Sequence, residues 1–114
     1  MRTIAEHGLA LSGIPALSRK RRCGETLILA YHNIVPTGER AVGDRSLHLS
    51  QRAFAAQLDH LAATHDVVGL EDAIRAPAPA GGSPRRPRAV ITFDDAYRGA
   101  VSAGVAELAA RRLP

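Results

Sequence analysis

Two aspartates, Asp94 and Asp95, stand side by side at the end of the apolar run Ala89–Phe93. Adjacent carboxylates repel each other, and a desolvated carboxylate is costly unless something pairs with it. A divalent cation would reconcile the two. One carboxylate can ligate the ion while the other stays free to take a proton from bound water. Hydrolytic zinc sites take three protein ligands from His and carboxylate and leave one position open, and the bound water's pKa then falls to roughly 7. The alternative is plainer: both side chains point into water, or they cap the next helix, where Asp is favoured. A second polar pair, Tyr31 and His32, ends another apolar stretch, Thr26–Tyr31.

The elements around these residues set where they meet. Thr26–Tyr31 lacks alternation, which predicts a strand buried on both faces, as in a parallel sheet. Residues 33–49 read as a long loop broken by Pro36, Gly38 and Gly43. Ser50 is placed to cap a helix over about 51–64, with Phe54, Leu58, Leu61 and Ala62 on one stripe. A short strand over Asp66–Leu70 and one helical turn over Glu71–Arg75 follow. The Pro- and Gly-rich stretch 76–88 reads as a linker. The strand Ala89–Phe93 then leads into a helix over about Tyr97–Arg112, with Val101, Val105, Leu108 and Ala109 on its apolar face and Gly104 inside at a cost of about 1 kcal/mol. Residues 1–18 predict a short helix broken near Gly13 and Pro15.

Buried strands alternating with amphipathic helices predict an α/β fold with parallel strands, whose ligand site lies beyond the C-terminal strand ends. Parallel neighbours would bring His32 and the aspartates to one rim. The chain stops at "ARRLP" as its last helix finishes, where another strand is due. A truncated architecture is therefore expected.

Bulk composition narrows the function classes. The 114 residues are 46% hydrophobic and 23% charged, as in an ordinary globular domain. Net charge is +4, and Lys20 is the only lysine. The arginines cluster at 19–22 and at 85, 86 and 88, in predicted loops without interleaved aromatics, which reads as solvated charge and not as a nucleic-acid surface. Cys23 is the only cysteine, so neither an internal disulfide nor a thiolate cluster can form within one chain. The apolar stretch Leu9–Leu17 is too short to cross a bilayer and has its basic cluster on the wrong side for a secretion signal. A cytoplasmic location is the default expectation.

The segment "TFDDAY", Thr92–Tyr97, resembles the first motif of the polysaccharide deacetylases, the NodB-like carbohydrate esterases. "LAYHNIVP", Leu29–Pro36, is similar to their early Tyr-His strand, and Leu49–Ile74 to the helix-strand passage before their catalytic domain. The resemblance covers about residues 26–114. It implies the N-terminal part of a distorted (β/α) barrel, after an extension over 1–25, with the catalytic domain proper beginning about 88 and cut at 114. The implied reaction is hydrolysis of an acetyl group on a carbohydrate polymer with a divalent metal, usually zinc. Asp94 matches the general base and Asp95 the metal-binding aspartate, and Tyr97 sits where a tyrosine is often found and would line the site; His32 would line it by its own position at a strand end. Ala96 departs from the family's more usual glycine. The family's His-x-x-x-His ligands should follow Asp95, yet all five histidines (His7, His32, His48, His60 and His65) precede it. The chain is accordingly expected to be an incomplete, inactive fragment. Two other readings remain: a phospho-acceptor or magnesium-type acidic site, disfavoured because the first strand ends in Tyr31-His32, and a non-catalytic α/β binding module.

Overall fold

A computed structural model of the chain describes residues 24–76 and 86–114. The helix expected over 1–18, the basic cluster 19–22, Cys23 and most of the 76–88 linker lie outside the described residues.

The chain enters through β1 (Thr26–Tyr31), followed at once by β2 (Asn33–Val35). A loop with a single 3-10 turn (Arg45–Leu47) leads to β3 (His48–Ser50) and α1 (Gln51–Thr64). Then come β4 (Asp66–Val67), α2 (Leu70–Arg75) and β5 (Arg88–Phe93). A wide π turn (Ala100–Gly104) opens the last helix, which continues as α3 (Val105–Ala110). The main sheet is open and parallel, in the order β1–β5–β4. A second pair, β2 with β3, is also parallel. The architecture is thus mixed α/β, and β5, the strand that carries the aspartates, is central.

Four expectations are corrected. β1 is not buried on both faces: it is an edge strand, and Leu27 and Ile28 are 45% and 58% exposed. An unbroken apolar run is equally consistent with an edge strand, because periodicity does not report neighbours. The loop predicted over 33–49 contains β2 and β3, each too short to show a pattern, yet Ile34 in β2 is fully buried. The breakers do act as turns, with φ of +87° at Gly38 and +99° at Gly43. Within the Asp66–Leu70 stretch only Asp66–Val67 is strand, and Leu70 already belongs to α2.

The fourth correction concerns the last helix. Val101 and Val105 are 64% and 50% exposed, while Ala100, Ala103 and Gly104 are buried. The small residues, not the valines, face the sheet. A Cβ on Gly104 would stand 3.0 Å from Phe93 Cζ and 3.3 Å from Ile34 Cγ1, so glycine permits this approach. The wide turn shifts the helix out of the 3.6-residue phase from which the valine face was predicted.

α1 follows its pattern more closely. Ser50 Oγ accepts a hydrogen bond from Ala53 N at 3.2 Å, and Phe54, Leu58 and Leu61 are buried, although Ala62 is exposed. Leu49 precedes the cap and joins the same core as Phe54, which sets the angle at which the chain enters the helix. The rings of Tyr31, Phe54 and Phe93 meet at centroid distances of 4.9 to 6.1 Å and fill the space under the strand ends.

Candidate functional site

The register of β1 on β5 pairs Tyr31 with Phe93, so both strands finish at one level. Asp94 N donates to Tyr31 O at 2.8 Å, extending the ladder by one bond past the strands. His32 and Asp94 are therefore neighbours by register. The backbone then turns sharply, with positive φ at Asp95 (+66°) and Ala96 (+45°). Left-handed backbone at a non-glycine residue costs energy and persists only where the surroundings impose it. The turn swings Asp95 back across the rim, and its Oδ2 lies 3.6 Å from His32 Nδ1.

That distance matters because of what His32 lacks. Its Nδ1 is buried and has no hydrogen-bond partner. The Asp95 oxygen is near enough for charge attraction if the imidazole is protonated but just beyond hydrogen-bond reach. A buried polar atom without a partner costs about 1–3 kcal/mol.

Asp94 and Asp95 are exposed. Neither carboxylate accepts a hydrogen bond among the described residues, and the helix that follows has no side-chain cap bond. The capping role is therefore not what these aspartates do here. Both donor types, carboxylate oxygen and imidazole nitrogen, suit zinc. The described residues contain no group of three or more His, Cys, Asp or Glu arranged to hold a metal. Asp95 and His32 are two such side chains, fewer than the three protein ligands a hydrolytic zinc site takes.

Beneath the rim the Tyr31 hydroxyl donates to Gln57 Oε1 at 2.8 Å. Burial raises the pKa of its phenol, which keeps it a neutral donor.

Of the four residues singled out from the sequence, the structure brings Asp94, Asp95 and His32 to one rim and sends Tyr97 elsewhere. The Tyr97 ring meets His48 edge to face at 6.2 Å. Both belong to a neighbouring cleft of about 400 Å³, which Asn33, Glu39, Arg40 and Arg98 also line. His32, Asp94 and Asp95 stand outside it. His48 is firmly held: its Nε2 lies 3.1 Å from Val42 O and its Nδ1 3.1 Å from Asn33 Nδ2. A carbonyl can only accept, so the proton sits on Nε2, and Nδ1 accepts from the Asn33 amide. Gly99 forms part of the wall, and a Cβ there would lie 1.9 Å from Ile34 O.

Sequence reasoning missed this cleft. Its residues come from a stretch read as loop and from a turn too irregular for periodicity, and the one available signal was the density of polar side chains over 33–48. Of the helical histidines, His60 is exposed on α1. No helix among the described residues is long and apolar enough to cross a membrane.

No protein-family model, curated protein or solved structure matches this chain.

Proposed function

We propose that the rim is the base-bearing and metal-anchoring part of a polysaccharide deacetylase site, with zinc as the metal and an acetylated carbohydrate polymer as the substrate. The observation that carries this reading is the facing of Asp95 Oδ2 and the unpartnered His32 Nδ1 at 3.6 Å, on the rim that the β1–β5 register creates. In this reading the parallel strands belong to the first part of a distorted (β/α) barrel. Asp95 is the metal-binding aspartate in this reading, and the histidine ligands that the resemblance implies are not among the described residues.

Each side chain has a task the geometry supports. Asp95 anchors the cation. Asp94, one residue earlier and free of hydrogen bonds among the described residues, takes a proton from the attacking water. The oxygen attacks the acetyl carbonyl carbon, the C–N or C–O bond to the sugar breaks, and the sugar nitrogen or oxygen regains a proton as acetate leaves. A bound divalent cation supplies acidity to that water and polarises the carbonyl. His32 lines the rim, its Nδ1 3.6 Å from the Asp95 carboxylate.

A zinc titration of the isotope-labelled chain, followed by NMR, tests this. The His32 imidazole and Asp95 carboxyl resonances should move together. Asp95→Asn should remove the response, and Asp94→Asn should keep it. Resonances that stay still in the unaltered chain sink the reading. Where acetate release from an acetylated oligosaccharide is detectable, Asp94→Asn should lower it by about 10²–10⁴-fold, the usual contribution of a general base.

A further inference from the structure

The cleft beside the rim has a chemical character of its own. Two basic residues, Arg40 and Arg98, line it together with one acidic residue, Glu39. Neither arginine has a hydrogen-bond or ion-pair partner among the described residues, whereas Arg111 is bound to Asp59 and Glu107, and Arg75 to Glu71. The Tyr97 hydroxyl is likewise unengaged there, and its ring stands against the fixed ring of His48. The volume, about 400 Å³, lies within the range of small-ligand sites, roughly 300–1,000 Å³. It adjoins the rim along the chain, since His32 leads directly into Asn33 and Asp95 reaches Tyr97 through one residue.

We propose that this cleft seats a carboxylate-bearing sugar unit, so that the polymer acted on is an acidic polysaccharide. This rests on the deacetylase reading for the reaction, but the binding itself does not. Guanidinium groups recognise carboxylates through paired N–H donors, and two unpaired cations on a cleft with one anion leave room for one more negative charge. The Tyr97 hydroxyl and the free hydrogen of the Asn33 amide suit sugar hydroxyls, and the Tyr97 ring offers an aromatic surface for the sugar's C–H groups. The carboxylate of Glu39 opposes the bound charge and holds the affinity down.

The full chain is titrated calorimetrically in EDTA, which removes the metal from the comparison. The probes are a galacturonate tetramer, an N-acetylglucosamine tetramer of equal length, and inorganic phosphate. The acidic tetramer should bind roughly tenfold or more tighter than the neutral one, and Arg40→Gln and Arg98→Gln should each weaken it by roughly tenfold. Glu39→Gln should tighten it. Both arginines are exposed, so these variants should keep the far-UV circular dichroism of the unaltered chain. Equal affinity for the two tetramers, no binding of either, or indifference to both arginine changes overturns the inference. Phosphate binding as tightly as the acidic tetramer overturns it too, by reducing the cleft to a plain anion site. A failed zinc response alongside selective binding of the acidic tetramer refutes the deacetylase reading alone, and the reverse pattern refutes the cleft alone.

Discussion

At Ala96 the backbone is left-handed, with φ of +45°, a conformation in which a Cβ is strained and glycine is not. Glycine at this position would relieve that strain. Ala96→Gly should stabilise the fold by about 1 kcal/mol, measured as a shift in the urea midpoint. The rim should persist, because Asp94 N remains tied to Tyr31 O. Unchanged or lower stability would mean that the turn is not held as described. Gly99 is the opposite case. Its φ is ordinary, but Ile34 O occupies the space a side chain would need. Gly99→Ala should therefore separate β2 from the last helix and cost more than the propensity gain of about 1 kcal/mol for alanine in a helix. A Tm equal to or above that of the unaltered chain would contradict it.

The elements are held by their ends as much as by their faces. α1 begins on the Ser50 cap and buries Phe54, Leu58 and Leu61, so the cap and the stripe define one helix. Ser50→Ala should cost about 1 kcal/mol and Leu58→Ala about 2–5 kcal/mol, both readable in chemical denaturation. α3 ends differently. Arg112 is left-handed at φ +55°, Leu113 N donates to Leu108 O at 3.0 Å, and Arg112 N donates to Ala109 O at 3.1 Å. These are the two bonds of a Schellman closure, and Leu113 folds back onto the core. The Gly104 contact with Phe93 and Ile34 explains why a helix-weakening residue stands in mid-helix: it brings the helix close to the sheet at the height of the rim.

Across the whole molecule, one charged network ties the first long helix to the last. Arg111 binds Asp59 of α1 at 2.7 Å and Glu107 at 2.6 Å, and Gln51 Nε2 donates to Glu107 at 2.7 Å. The Gln51 amide and the Arg111 guanidinium together hold the Glu107 carboxyl below its ordinary range, and Arg111 does the same for Asp59. Both carboxyls thus release their protons more readily in the folded state. Between their folded values and the ordinary carboxylate range the unfolded chain binds more protons, so stability is full above about pH 5 and falls as the pH drops through the folded values. Urea midpoints measured from pH 7 to pH 3 should decline, and Arg111→Met should lower the neutral-pH midpoint while flattening that decline. An equally steep acid decline in the variant would place the sensitive carboxyls elsewhere.

Local chemistry made much of this legible in advance. β1 matches its predicted bounds and α1 does so through one cap and one apolar stripe, while β5, a short apolar run closed by charge, ends as predicted at Phe93 but begins one residue early, at Arg88. The juxtaposition of His32 with the aspartates also followed from reading parallel neighbours with a common end. What the chain order does not encode is which strand lies beside which. The edge position of β1, the burial of Ile34 in a three-residue strand and the turning of Tyr97 toward His48 all depend on contacts between residues distant in sequence. The small-residue face of the last helix belongs with them, because its phase is set by how closely Gly99 and Gly104 let it approach β2 and Phe93. Periodicity reports how a segment is coloured, whereas close packing chooses which coloured face is covered.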